Sequence, residues 1–227
     1  MIVSISQPAY LPWLGYFDRI AKSDLHIVLD SVQFEKRSFI NRNKIRVGDT
    51  WSWLTVPVKT KKKFLNLDIY NLKIDNSLNW RKKHLKSIIQ NYSNSNYFED
   101  HFKFFEKTYG TEWHNLNQLI EYINKYILEC LNIKTKLMSS HQLNPKLRKS
   151  NLILELCQKV EAREYLSGPF GRDYLNKRDF DKLGIKINFH DYSHPTYSQT
   201  KSGFLPYMSV IDLLFNEGNN SMKILKT

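Results

Sequence analysis

The chain has 227 residues and carries 34 Lys+Arg against 22 Asp+Glu, a formal net charge of +12. An aromatic share of 14% excludes a disordered chain, no apolar run approaches the roughly 18 residues of a membrane span, and two cysteines exclude a disulfide framework. The N-terminus, MIVSISQPAY, has no basic region, no long apolar stretch and no small-residue cleavage site, so a cytoplasmic protein with one full core is expected.

Ile2 to Ser6 reads as a short buried strand stopped by Gln7-Pro8. Pro12-Trp13 opens a helix through Lys22, with Trp13, Tyr16, Phe17 and Ile20 at helical spacing. Leu25 to Leu29 is a second strand ending on Asp30, which completes a βαβ unit and implies a parallel pair. Ser38 to Arg46 is polar and basic. Trp51 to Val58 and Phe64 to Ile74 alternate enough to form an antiparallel hairpin around the loop of Lys59, Lys61, Lys62 and Lys63. Three helices are predicted over 78–91, 97–108 and 113–131. Lys136 to Ser139 is a strand, Ser150 caps a helix over 151–160, and strands follow at Arg163–Leu166 and Ile185–Phe189. Met208 to Phe215 is a last helix, with Gly218 just beyond.

The sum is an α/β fold. An open, mainly parallel sheet of about five strands has helices on both faces, within one domain over 1–227. A mixed β-hairpin and helical subdomain over 31–131 is inserted between the second and third strands. The five strands end on Gln7, Asp30, Ser139-Ser140, Ser167-Gly168 and His190-Asp191, all able to hydrogen-bond. Open α/β sheets bind ligands outside these ends, so a site built from them is expected.

Gln33, Lys36, Arg37, Asn41, Arg42 and Asn43 put six polar recognition residues into eleven positions, which suits a polar anionic ligand. His194, in the loop after the last strand, is placed for a general base, with His84 beside the basic run of Arg81, Lys82, Lys83 and Lys86 as the second choice. Most of the lysines read as an ordinary solvated surface, and the arginines are the better anion contacts. No GxGxxG, GxxxxGK[ST] or GxSxG motif occurs, and two unpaired cysteines make no zinc site, so no metal is expected. The opening strand, Pro-containing loop and Gly15 helix entry are similar to the layout of nucleotidylyltransferases. The histidine motif that holds nucleotide phosphates there is missing, since the first histidine is His26.

Taken together, the motifs resemble the WbqC-like family. They run Gln7-Pro8-x-Tyr10-x-Pro12-Trp13-x-Gly15-Tyr16-Phe17, Asp30-x-Val32-Gln33-Phe34, Asn41-Arg42-Asn43 and Trp53-Leu54-x-Val56-Pro57-Val58. They continue with Ser167-Gly168, His194-Pro195-x-Tyr197-x-Gln199 and Phe204-x-Pro206-x-x-Ser209-x-x-Asp212-Leu213-Leu214-Phe215-Asn216-x-Gly218. The resemblance implies a protein of O-antigen or surface-polysaccharide biosynthesis that N-acylates, with a glycyl or aminoacyl group, the amine of a nucleotide-linked sugar. On that reading His194 or His84 is the base, and Asp30 or Asp212 orients it or holds the ammonium group. Arg37 and Arg42 hold a pyrophosphate, Tyr10 and Trp13 stack on a ring, and backbone amides near Ser167-Gly168 stabilise the oxyanion. No cofactor is implied. The donor is open, an aminoacyl-tRNA being one that suits the basic surface. The alternative expectation is a non-catalytic module that binds sugar nucleotides or nucleic acid.

Overall fold

The computed structural model describes residues 1–60 and 67–226. Five strands, β1 (Ile2–Ser6), β2 (Leu25–Val28), β5 (Lys136–Ser139), β6 (Glu164–Ser167) and β7 (Lys186–Phe189), form one parallel sheet. Its order is β5-β2-β1-β6-β7. The chain therefore builds outward from β1 in one direction, returns, and builds outward from β6 in the other. That reversal makes the junction of β1 and β6 the topological switch point.

Helix α1 (Leu14–Ala21) links β1 to β2, α5 (Lys149–Lys159) links β5 to β6, and α6 (Lys177–Lys182) links β6 to β7. The central strands β1 and β2, with Ile2, Val3, Ile5, Ile27 and Val28, suit a sheet covered on both faces. Val3, Ile5, Leu25 and Ile27 pack with Leu152, Ile153 and Leu156 of α5 and with Phe180 of α6 in one core. The opposite face is covered by α1, whose Phe17 and Ile20 enter a second, larger core.

That larger core is shared with the insertion. A two-stranded antiparallel ribbon, β3 (Arg42–Val47) and β4 (Thr50–Thr55), turns at Gly48-Asp49, with Gly48 at φ +58°. A glycine with positive φ at the first turn position suits a tight hairpin. Helices α2 (Trp80–Tyr92), α3 (Phe98–Gly110) and α4 (Leu116–Cys130) follow. Ile45, Leu54, Ile88, Phe105 and Ile123 meet Leu213 and Phe215 of α7 (Val210–Glu217) in the same cluster. A short α8 (Ser221–Leu225) closes it.

Several expectations are corrected. The hairpin pairs Thr50–Thr55 with Arg42–Val47, not with the stretch after the lysine loop. Buried Asn43 occupies an inward position of β3 and interrupts its apolar alternation. Residues 67–74 hold a 3₁₀ turn at Ile69–Asn71 and isolated bridges, one of them joining Val58 to Ile74. Lys61, Lys62, Lys63 and Phe64 lie outside the described residues. Helix α5 starts at Lys149 with Arg148 at its cap, so Ser150 is inside it, and its hydroxyl instead accepts from the Asn176 amide. Helix α1 is preceded by Trp13, not by Pro12 at its first turn.

Candidate functional site: the switch-point cleft

A cleft of about 920 Å³ opens where β1 and β6 end side by side. Ser6 and Gln7 of the first terminus and Ser167 and Gly168 of the second line it, and α1 supplies Tyr16 and Arg19. His190, one residue past β7, and Tyr192 complete the wall.

His190 is anchored from α1. Its Nε2 donates to the Asp18 carboxylate at 2.6 Å, and Lys22 Nζ donates to the same oxygen at 2.6 Å. An ionised carboxylate only accepts, so Nε2 carries the imidazole proton and Nδ1 is the nitrogen left to take one. Burial opposes the Asp18 charge, but the hydrogen bonds from His190 and Lys22 and the Lys22 charge outweigh it and hold the carboxyl below its usual range. The backbone N–H of His190 donates to Ser167 O, which fixes the end of β7 against that of β6. An oriented imidazole facing a cleft is the arrangement of a general base.

Arg19 lies one residue further along α1. Its Nε is buried without a hydrogen-bond partner, and among the described residues no carboxylate pairs with it. A Cβ on residue 168 would overlap its guanidinium, so glycine there lets the cation lie directly against the end of β6. A partly buried guanidinium without a counter-charge favours an anionic ligand, and its planar fork fits phosphate. Lys149, at the start of α5, adds a second cation to the rim. Phe170 is 79% exposed and also lines the cleft, with half-exposed Tyr174 nearby, so two aromatic faces are offered to a planar ligand.

The cleft collects four of the sequence-predicted residues: Gln7, Trp13, Ser167 and Gly168. The Trp13 indole sits edge-on to Tyr192, with ring centres 5.6 Å apart. The other predicted residues go elsewhere. Asp30, fully buried at the end of β2, accepts from Ser139 and Ser140 hydroxyls, the His141 amide and Asn117. Asn41 donates to Val56 O and Asn43 to Leu11 O, so both stitch β3 to its surroundings. Arg42 packs its guanidinium over Trp53 at 4.2 Å and donates to Arg37 O, and Gln33 bridges to Asp68. Asp212 accepts from the hydroxyls of Tyr92 and Tyr197 and from Gln199 Nε2, inside the protein. Arg46 joins that cluster through Gln199 and also binds the carbonyls of Ser202 and Gly203.

Both predicted histidines have their ring nitrogens in use. Buried His84 takes the Tyr10 hydroxyl on Nδ1 and donates from Nε2 to Thr55 O. Burial pushes its pKa down to about 4 despite that carbonyl, so it is neutral near pH 7. His194 donates from Nδ1 to Pro195 O and accepts the Tyr207 amide on Nε2. Neither lines the cleft. Sequence reasoning missed Asp18, Arg19, Lys149 and Tyr192, and named His190 only as a strand end, with no catalytic role. The one available signal was an Asp-Arg pair on the first crossover helix of a switch-point fold.

Comparisons with known proteins cover nearly the whole chain. A family model described as "WbqC-like protein family" matches residues 7–224. This chain belongs to the WbqC-like family. The WbqC-like chain is also 37% identical over 226 residues to "Uncharacterized protein Rv1507c" of Mycobacterium tuberculosis, a match covering 99% of this chain and 97% of that protein. No solved structure matches. Among the described residues of this WbqC-like protein, no helix is long and apolar enough to cross a membrane.

Proposed function

We propose that this protein is an N-acyltransferase of the glycyl or aminoacyl kind, which modifies the amino group of a nucleotide-linked sugar for O-antigen or surface-polysaccharide synthesis. The observation that carries the reading is the pairing, in one switch-point cleft, of an unpartnered guanidinium with a carboxylate-anchored imidazole. Arg19 and Lys149 take the diphosphate of the acceptor. Phe170 and Tyr174 receive the planar base. His190 Nδ1 removes a proton from the sugar amine as its lone pair attacks the acyl carbonyl carbon. A C–N bond forms, the bond from the acyl group to its carrier breaks, and the imidazolium returns its proton to the departing carrier. Asp18 positions the ring and stabilises the transient imidazolium.

The test is calorimetric titration of the protein with UDP-, dTDP- and GDP-linked amino sugars, followed by acyl-transfer assays on any that bind. Selective binding of one amino sugar that disappears in Arg19→Ala supports the reading. Absence of binding by all three overturns it.

A second reading, a module that binds nucleic acid without catalysis, is favoured by the outer face of the β3–β4 ribbon. There Lys44 Nζ sits 4.2 Å from the Trp51 ring centre and Arg42 covers Trp53, while Phe39 is exposed beside them. Interleaved cations and aromatic faces suit single-stranded RNA. Sequence-independent retention of short RNA that collapses as salt rises would favour this module over the transferase.

A further inference from the structure

A second cavity, of about 260 Å³, lies between α4 and the ends of β2 and β5. Tyr16 lines both this cavity and the switch-point cleft, so the two adjoin across one ring. Tyr16 is held by a hydrogen bond to Ser6 at the end of β1.

The lining is short of positive charge. Asn124, 7% exposed, donates from Nδ2 to Ala9 O at 3.3 Å, and its Oδ1 has no partner. The Ala9 carbonyl can only accept, so it fixes the amide orientation and leaves Oδ1 as an unused acceptor. Asp30, wholly buried, holds its carboxylate with neutral donors alone; among the described residues no Lys or Arg pairs with it. Glu121, one helical turn before Asn124 on α4, adds a second carboxylate to the same lining. Asp30 is satisfied by those neutral donors, so the demand comes from the orphaned Asn124 acceptor and the nearby Glu121 carboxylate, which together favour a cationic hydrogen-bond donor, with the buried Asp30 charge adding to the negative field. The size of the cavity limits that donor to a small molecule or the end of a larger one.

We propose that this cavity is a binding subsite for a small primary ammonium group, held by Asn124 Oδ1, Asp30 and Glu121. Its assignment to the α-ammonium of the aminoacyl donor rests on the transferase reading above. With the ammonium end in this cavity, the acyl carbon of the donor points past Tyr16 toward His190 and the acceptor.

The probe is glycinamide, which carries an ammonium group and a carbonyl but no activated bond. Its control is glycolamide, in which a hydroxyl replaces the ammonium. Both are titrated into the full chain and followed by backbone and side-chain amide NMR, alongside the amino-sugar nucleotides. Glycinamide is expected to bind saturably, shifting the Asn124 side-chain amide, and glycolamide to bind at least tenfold more weakly. Asn124→Leu, which keeps the branching and removes the acceptor, is expected to weaken glycinamide by roughly tenfold, as loss of a bond to a charged group does. Glu121→Gln, on an exposed position, is expected to weaken it ~3-fold through loss of a half-screened charge. If Asn124→Leu fails to fold, Glu121→Gln and the glycolamide control decide. Equal binding of the two amides, binding unchanged in the variants, or no binding of glycinamide overturns the subsite, whatever the nucleotide sugars do. Glycinamide binding with no nucleotide-sugar binding upholds the subsite and removes the acceptor proposed above.

Discussion

The Nε2 of His190 and the Asp18 carboxylate lie 2.6 Å apart although 172 positions separate them in the chain. The bond joins the end of the fourth crossover of the sheet to the helix of its first, across the switch point. In the proposed reaction it sets both the tautomer and the aim of the imidazole. His190→Ala is expected to lower acyl-transfer turnover by ~10²–10⁴-fold while nucleotide-sugar affinity is kept. Asp18→Asn is expected to lower turnover while changing binding little. Steady-state kinetics beside calorimetry checks both, and full turnover in His190→Ala would remove it as the base.

Arg19 and Gly168 give a paired test of the anion site. Arg19→Ala is expected to weaken binding of a nucleotide diphosphate by about 2 kcal/mol, the usual worth of a charge-assisted bond. Gly168→Ala is expected to weaken binding by less and without touching the charge, because its new methyl group would push the end of the Arg19 side chain aside. Calorimetry on both variants, with the melting temperature as a check on folding, separates displacement of Arg19 from general disruption.

Acid should expose the buried histidines. His84 is pushed down to about 4 and His26 to about 3, both first by burial, and His26 further by the Arg19 charge. Their unfolded values lie near 6.5. Below that pH the unfolded chain takes up protons that the folded one refuses. Stability is therefore full above pH 6.5 and falls as pH drops toward 4, by on the order of 3 kcal/mol for His84 alone. Asp18, held below its usual value, adds a further loss when pH falls below about 4. Melting temperature measured from pH 7.5 to 3.5 checks this, and His84→Gln should flatten the upper part of the curve. A wild-type melting temperature that stays level from pH 6.5 to 4 would contradict it.

Asp212 should matter for folding and not for ligand affinity. Removal of its side chain in Asp212→Ala leaves two tyrosine hydroxyls and the Gln199 amide without their shared acceptor. Each buried neutral group left unpaired costs about 1–3 kcal/mol. The expected result is a large drop in melting temperature with nucleotide-sugar affinity intact in the folded fraction, measured below the transition.

The sheet was legible because its five strands are short apolar runs that each stop on a polar residue, as at Ser6-Gln7 and Ser167-Gly168. The ribbon was harder to place. Asn43 faces inward and takes a backbone carbonyl, so its polarity hides a strand period that Ile45 and Val47 only half announce. The site was read from motif residues, and most of them turn out to bond within the fold. Asn41, Asn43, Tyr197, Gln199 and Asp212 are polar residues whose partners are distant in sequence, and nothing local tells a buried structural amide from one that waits for a ligand. Asp18 and Arg19 suffered the opposite error, since on a single amphipathic helix they look like its solvated side.

Ser209 N–H donates to Lys44 O in the ribbon, Val210 N–H donates to Pro12 O, and Ser209 itself bridges to Trp13. One dipeptide near residue 210 thus pins together the loop after β1, the insertion and the last long helix. On the ribosome, the first strand and the ribbon emerge long before that dipeptide does. The apolar side that the ribbon and the loop after β1 share with α7 stays uncovered for most of synthesis, so the nascent chain depends on escaping aggregation until residues 210–217 arrive to lock it.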